Sequence, residues 1–455
     1  MKRNRAFEPS KRALATFDQG PAWDLMQKVN RRPSYDPVSC PDGLINLSGA
    51  LNGLMDDWMS TYIQTLAPIT TGSAIRYGPI CGSEALLKAA AGFFDAFFSP
   101  YSPVTADHIL ASNGVTSLID MMAWTLCNPG EGVVYLTPNF YMLDYDLTSR
   151  SDVETVPIST SNLGDSFEAR QADNLVHVVD SAINKAEEER SIKCRVLFIC
   201  NPANPEGRCY SSETLQALSS LCYRRSMHLV ADEIYAMSGF DNGENKDQST
   251  FSSVLSIPNN KMKSQHIHCL YSLSKDFNMG GLRMGFLVTR NTVVRSAASR
   301  VAWFTWLTAF SDTFVSTFLG TQDLVKDYLS VYQERLQLAY RRASKALTDN
   351  KIPFKPSNAG LFIFIDLSQW LVTFDGSTTD SHKPSAELQL CVWLLDRGIF
   401  LNAGEFAGSD EPGHFRLVFT SDPDATVIGI TRIRAALDAL EISGLGEGRI
   451  GPSWE

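Results

Sequence analysis

The sequence predicts an α/β fold: a mostly parallel sheet between helices, joined by a long helical stretch to a smaller α+β lobe. Two observations carry this. From about residue 105 to 290, short apolar runs alternate with longer helix-like stretches, the pattern of strands joined by crossover helices. Beyond about residue 350, two apolar runs and one helical stretch follow without that alternation.

Residues 1–40 are polar, basic and broken by Pro9, Pro21, Pro33 and Pro37, so they read as an arm draped over the body. Asp42-Gly43 ends the arm, and Ile45-Asn46-Leu47-Ser48-Gly49 opens the globular part; residues 41–72 are assigned to the N-terminal part of the small domain. A large domain is assigned to residues 73–310, with a strongly apolar helix over 86–98. Strands are expected at 133–136, 196–199, 228–230, 267–270 and 285–288, with helices near 115–127, 180–190 and 211–224. The polar segments 240–265 and 372–386 read as exposed loops. Residues 311–349 predict one long helix or two in tandem, a hinge to the small domain of 350–455. That domain holds the apolar runs 361–365 and 415–419 and a helix near 385–397.

Composition narrows the partners. Apolar residues make up 44% and charged residues 20%, as in ordinary globular proteins. A net charge of −10 argues against a phosphate-backbone partner and for a small molecule. Met1-Lys2-Arg3-Asn4-Arg5 is basic but lacks the apolar segment of a secretory signal. No run approaches the ~18 apolar residues of a membrane span. Nine scattered cysteines without a C-x-x-C pair favour reduced thiols, and the cytoplasm is the expected compartment.

Ligands in such sheets bind beyond the carboxyl ends of the strands, and the unusual residues fall there. Tyr271-Ser272-Leu273-Ser274-Lys275-Asp276-Phe277 places one lysine beside small hydroxyl residues, and Gly280-Gly281-Leu282-Arg283-Met284-Gly285 adds a glycine-framed arginine. Lysine forms Schiff bases with carbonyl compounds when its pKa is lowered. Ser272, Ser274 and Arg283 would then cradle a phosphate; the alternative is a surface turn with two solvated charges. Asn113-Gly114-Val115-Thr116-Ser117 opens a helix after Ile109-Leu110-Ala111. Free N–H groups there favour a phosphate, and plain N-capping is the alternative.

Asn201-Pro202-Ala203-Asn204-Pro205-Glu206-Gly207 is a rigid turn that can aim the Asn204 amide, or a turn with no ligand at all. Ala231-Asp232-Glu233-Ile234-Tyr235 puts a carboxylate at a strand end. Asp232 can stay ionised beside a protonated pyridine nitrogen, with Tyr235 donating to the ring's phenolate oxygen; a helix N-cap by Asp232 is the alternative. Gly413-His414-Phe415-Arg416-Leu417 sets an arginine in an apolar strand, where its planar fork fits a substrate carboxylate or a protein one. His266 and His268 alternate near Cys269, but no second ligand pair has suitable spacing, and no metal is expected.

In this order and spacing the motifs resemble the class I/II aminotransferase family of pyridoxal-phosphate enzymes, from about residue 42 to 440. The segments around Lys275 and Asn204 look most like its 1-aminocyclopropane-1-carboxylate synthase branch, fungal relatives included. The resemblance implies an aminotransferase-like large domain with a mostly parallel seven-stranded sheet, pyridoxal 5'-phosphate as cofactor, and a homodimer with shared active sites. By position, Lys275 would form the internal aldimine and shuttle protons, Asp232 would pair with the pyridine nitrogen, and Asn204 and Tyr235 would bond the ring oxygen. Val115, Thr116, Ser272, Ser274 and Arg283 would hold the phosphate, Phe140 would stack on the ring, and Tyr77 would reach the partner subunit's phosphate. Arg416 would bind the substrate's α-carboxylate.

One departure matters. The synthase branch carries Ala-Glu-Asn near its N-terminus, whereas this chain reads Ala50-Leu51-Asn52. An apolar residue there penalises a cationic or polar substrate group by a few kcal/mol. Synthesis of aminocyclopropane carboxylate from S-adenosylmethionine is therefore not expected. The expected function is pyridoxal-phosphate chemistry on an L-α-amino acid by β- or γ-elimination, replacement or cyclisation, in specialised metabolism. Transamination with a 2-oxo acid is the alternative. A non-catalytic ligand sensor is a third reading, disfavoured because the first 40 residues are too few and too Pro-broken for a DNA-binding module.

Overall fold

In this computed structural model the described residues are 9–15, 20–66, 74–243, 248–258, 263–374 and 384–444. Their strands run in chain order as β1 (Ile45–Asn46), β2 (Ile109–Ser112), β3 (Gly132–Thr137), β4 (Glu154–Ser159), β5 (Cys194–Cys200), β6 (His228–Asp232) and β7 (Ile267–Ser272). They continue as β8 (Gly285–Thr289), β9 (Phe354–Lys355), β10 (Phe362–Asp366), β11 (Ile399–Phe400), β12 (Asn402–Ala403) and β13 (His414–Val418).

Seven of them form the large sheet in the order β2-β8-β7-β6-β5-β3-β4. Every pairing is parallel except those of β8, which runs antiparallel to both β2 and β7. Strands β2, β3, β7 and β8 are buried along their whole length, which is why they read as continuous apolar runs. Strand β4 is absent from the expected set. It pairs only with β3, its residues alternate between buried and exposed, and it carries Pro157. Proline is tolerated on an edge strand but weakens the strand signal.

Helices Glu84–Phe97, Val115–Leu126, Ala172–Arg190 and Ser212–Arg224 pack against the sheet or one another. The helix expected at 180–190 begins earlier, at Ala172, and its first turns bury Ala172, Leu175 and Val179. The 311–349 stretch resolves into two helices, Ala309–Gly320 and Gln322–Asp349, broken where Thr321 leaves the helical region at φ −104°, ψ 79°. Strands β12-β13-β10-β9 form an antiparallel sheet, and β1 pairs with β11 in parallel.

Two readings are corrected. Part of the expected arm is a helix, Gly20–Asn30, which buries Leu25 and Val29 in the main core. Pro21 sits in its first turn, where a missing N–H costs nothing. The described part of 240–265 is not simply an exposed loop: Val254 and Leu255 are buried, and the Ser253 hydroxyl and Val254 N–H donate to Glu233 at 2.6 and 2.7 Å. Residues 375–383 of the other expected loop lie outside the described residues.

His228 and His268 share a contact of 2.9 Å between Nδ1 and Nε2, and the other His268 ring nitrogen meets Thr289 Oγ1 at 2.8 Å. Among the described residues no group of three or more His, Cys, Asp or Glu could hold a metal ion. Burial lowers His228 to about 4, with the positive charge of Arg195 adding to it. Its folded value lies below the unfolded one near 6.5, so its contribution is present above pH ~6.5 and is lost as pH falls toward 4. Denaturant unfolding of wild type and His228→Asn should therefore show the stability gap shrinking by about 2–3 kcal/mol across that window. A gap that does not change with pH would refute the neutral pair.

Candidate active site

Lys275 is the centre of a cavity of about 360 Å³ at the carboxyl ends of β5, β6 and β7. The turn after β7 carries it, and that turn is tied down from several sides. Asn52 Nδ2 donates to the carbonyls of Lys275 and Asp276 at 3.0 and 3.2 Å. Buried Asp276 accepts from the Met237 N–H and the Tyr271 hydroxyl, each at 3.0 Å. The Lys275 ammonium reaches the Ala50 carbonyl at 2.8 Å. Burial, reinforced by the charge of Arg416, lowers Lys275 to about 8. It is therefore about one-tenth neutral at pH 7, far more than an ordinary lysine.

One end of the cavity is built to hold an anion. The helix Val115–Leu126 starts at Gly114 with φ 110° and no side-chain cap, so its first N–H groups remain open. Thr116 and Arg283 line the cavity here. Arg283 donates to the carbonyls of Gly280 and Asn113 at 3.0 and 3.2 Å. Ser272 Oγ lies 2.7 Å from both Ser274 Oγ and the Met284 carbonyl. Gly114 and Gly285 make this end possible by close approach. A Cβ on Gly114 would meet Arg283 Nη2 at 2.6 Å, and one on Gly285 would meet the Gly114 carbonyl carbon at 2.8 Å.

Elsewhere on the cavity wall Asp232 ends β6, with no helix for it to cap; its Oδ1 accepts from the Ile234 N–H at 3.1 Å. Burial raises Asp232 to about 7, and Asp146 adds to the shift. Tyr235 is buried edge-on against Phe362, and burial raises its hydroxyl. Arg416 donates to Asn204 Oδ1 at 2.8 Å and to the Ser48 carbonyl at 2.5 Å. Its buried Nε has no partner among the described residues, and no carboxylate there pairs with it. This leaves a donor for an incoming carboxylate.

Phe140 lies on the cavity wall beside Tyr141, and Leu51 sits at the mouth, 63% exposed. Tyr77 is outside this cavity. It is 93% exposed and stacks on Trp306 at 5.2 Å. The Trp306 indole donates to Gly78, and the Ser112 hydroxyl donates to that of Thr305. Tyr77 thus stands near the anion end, facing outward. Sequence reasoning missed Met26, Tyr141, Asp146 and Cys200, which also line the cavity. Asp146 gave no signal, because its helix Leu143–Ser151 also holds Asp144 and Arg150 and an acid there looks solvated.

Imine-forming lysine, open anion cradle, paired carboxyl wall and unpaired arginine together fit pyridoxal phosphate and an amino acid. This is the site of a pyridoxal-phosphate-dependent enzyme. The chain belongs to the family described as aminotransferase class I and II, whose profile matches residues 46–433. It is 30% identical over 390 residues to the probable aminotransferase gliI of Aspergillus fumigatus, covering 84% of this chain and 85% of that protein. It is 28% identical over 428 residues to 1-aminocyclopropane-1-carboxylate synthase 6 of Oryza sativa subsp. japonica, covering 89% and 74%. In fold it is similar to the kynurenine aminotransferase of Pyrococcus horikoshii, with a TM-score of 0.72 at 17% identity, covering 96% and 97%.

The glycine pair generates a direct test. Gly285→Ala forces β8 away from the helix start, because the atoms it meets are backbone. It should cost about 1–3 kcal/mol in unfolding experiments and weaken pyridoxal-phosphate binding as well. Wild-type stability and affinity together would show that the two elements do not meet.

Proposed function

We propose that this enzyme acts on an L-α-amino acid and breaks or exchanges a carbon–heteroatom bond at its β- or γ-carbon. The observation that carries the reading is the meeting of a largely desolvated Lys275 with the unpaired Nε of Arg416 in one cavity. Arg416 is assigned the α-carboxylate, which orients the α-hydrogen. Lys275, partly neutral at working pH, is assigned the removal of that proton. Asp232 keeps a proton on the ring nitrogen, and Asn204, whose Oδ1 is committed to Arg416, is left with its amide N–H groups for the ring oxygen. Pyridoxal phosphate supplies the electron sink for the carbanion.

One observation tilts the reading toward carbon–heteroatom chemistry, and another tilts it away from aminocyclopropane carboxylate synthesis. The likeness to the synthase branch covers most of the chain. Leu51 puts an exposed apolar side chain at the mouth, where a charged substrate group finds no carboxylate. Transamination is kept as a second reading, since fungal relatives at 27–30% identity are named probable aminotransferases.

We assign the outward face of Ile75, Tyr77, Trp303 and Phe304, all exposed, to a second copy of this chain in a homodimer with shared sites. The cytoplasm is the proposed compartment: all nine cysteines are free thiols, and among the described residues no helix is long and apolar enough to cross a membrane. No nucleic-acid partner is proposed for a chain of net charge −10.

Purified enzyme should show the yellow absorption of lysine-bound pyridoxal phosphate, and Lys275→Ala should abolish it and lower turnover roughly 10²–10⁴-fold or more. Arg416→Gln should raise KM about ten- to hundredfold, the loss of a charge-assisted bond. With a panel of amino acids and O- or S-substituted derivatives, release of thiol, ammonia or another leaving group supports the proposal. Accumulation of the aminated cofactor with a 2-oxo acid establishes transamination instead.

A further inference from the structure

One carboxylate in the cavity has no place in the assignment above. Asp146, on the helix Leu143–Ser151, is only 6% exposed yet lines the cavity with Asp232. The Thr116 hydroxyl lies beside it and works against the upward shift of its pKa. Its Oδ2 is buried and meets no donor among the described residues. An unsatisfied buried oxygen is destabilising, and a purely structural acid has no reason to retain one.

The groups facing Asp146 are few. From the neighbouring helix comes Asp120, whose own carboxylate lies 3.5 Å from Arg150. From the end of β6 comes Asp232, with Lys275 beyond it and the buried Cys200 thiol beside it. Asp120, paired with Arg150, thus acts on Asp146, and Asp146 in turn on Asp232. Burial raises Asp146 to about 7, and Asp120 adds to the shift. Neighbouring acids of this kind do not all ionise together.

We propose that Asp146 is a positioning residue of the ring-nitrogen pocket: it acts through Asp232, placing a second negative charge behind it when ionised and none when protonated. The inference rests on the cofactor assignment. A second charge strengthens the hold on a protonated ring nitrogen, so cofactor affinity carries a pH dependence that Asp232 alone would not give it. Asparagine mimics the protonated carboxyl group, and Asp146→Asn therefore matches the wild type on the acid side and departs from it on the alkaline side.

The test measures pyridoxal-phosphate affinity of the apoenzyme, and the pH titration of the lysine-bound absorption, for wild type and Asp146→Asn. At about pH 8.5 the variant should bind roughly three- to tenfold more weakly and its absorption should titrate at lower pH, whereas at about pH 6 the two proteins should agree. Equal behaviour at both pH values, in a variant with the wild-type melting temperature, overturns the proposal. Tighter binding overturns it too, since it would put Asp146 beside the phosphate rather than the ring nitrogen. Should Asp146→Asn fail to fold, Asp120→Asn decides the matter. Removing that neighbouring charge lets Asp146 ionise earlier, so the wild-type change in affinity must move to lower pH, and an unmoved profile overturns the proposal. Wild type lacking the lysine-bound absorption altogether would remove the cofactor reading itself, and this inference with it.

Discussion

The structure depends on one buried knot, the Asp276 side chain and backbone directly after Lys275. Its carboxyl group accepts from the Met237 N–H and the Tyr271 hydroxyl at 3.0 Å each, and its carbonyl accepts from Tyr328 and Asn52 at 3.1 and 3.2 Å. Those partners belong to the segment after β6, to β7, to the long helix Gln322–Asp349 and to the N-terminal segment. One residue thus couples the large sheet to the N-terminal segment and to the long connecting helix. Burial holds Asp276 up at about 7, a cost offset by the bonds that converge on it. Displacing it would unseat Lys275 along with the interface between lobes.

From that anchor the electrostatic layout follows. The chain carries net charge −10, but three cations, Lys275, Arg283 and Arg416, line the cavity. Its acids, Asp232 and Asp146, gather at the wall where a ring nitrogen belongs. In the proposed reading each sign of charge would face the part of the bound molecules that carries the other. The low-polarity surroundings that make this separation effective also set the protonation of its members. Lys275 falls to about 8 while Asp232 rises to about 7, so the base and its supporting acid both titrate near neutrality.

Much of this was legible in the sequence because strand ends are read easily and certain residue types are unusual there. A lysine among serines, an aspartate closing an apolar run and an arginine inside one each break a local rule, and a site explains the break. What was not legible has physical reasons. Strand β4 carries Pro157 and only alternate buried positions, so its signal falls below that of its fully buried neighbours. The helix Gly20–Asn30 lies between prolines and buries few side chains, so its contribution of Met26 to the cavity had no sequence signal. Asp146 sits in a helix with Asp144 and Arg150, where an acid looks solvated until the tertiary fold buries it. Tyr77 can be located on the outer surface but acquires a role only beside a second chain.

What decides the reaction is a separate matter from what makes the carbanion. Lys275, Asp232 and Arg416 would serve elimination, replacement and transamination alike, because all three begin with loss of the α-proton. The branches part at the next atom outward, where either a leaving group departs from the β- or γ-carbon or the proton returns to the cofactor. For that part of the substrate the cavity lining offers the apolar side chains of Met26, Leu51 and Phe140, and Tyr141 beside Arg416. A wall of this kind neither anchors a charged substituent nor solvates it. An uncharged substituent departs as an anion, which an apolar wall stabilises poorly, so it must itself be a good leaving group. Under the proposed reading, the exposed apolar side chain of Leu51 is therefore a constraint on the substrate's own chemistry.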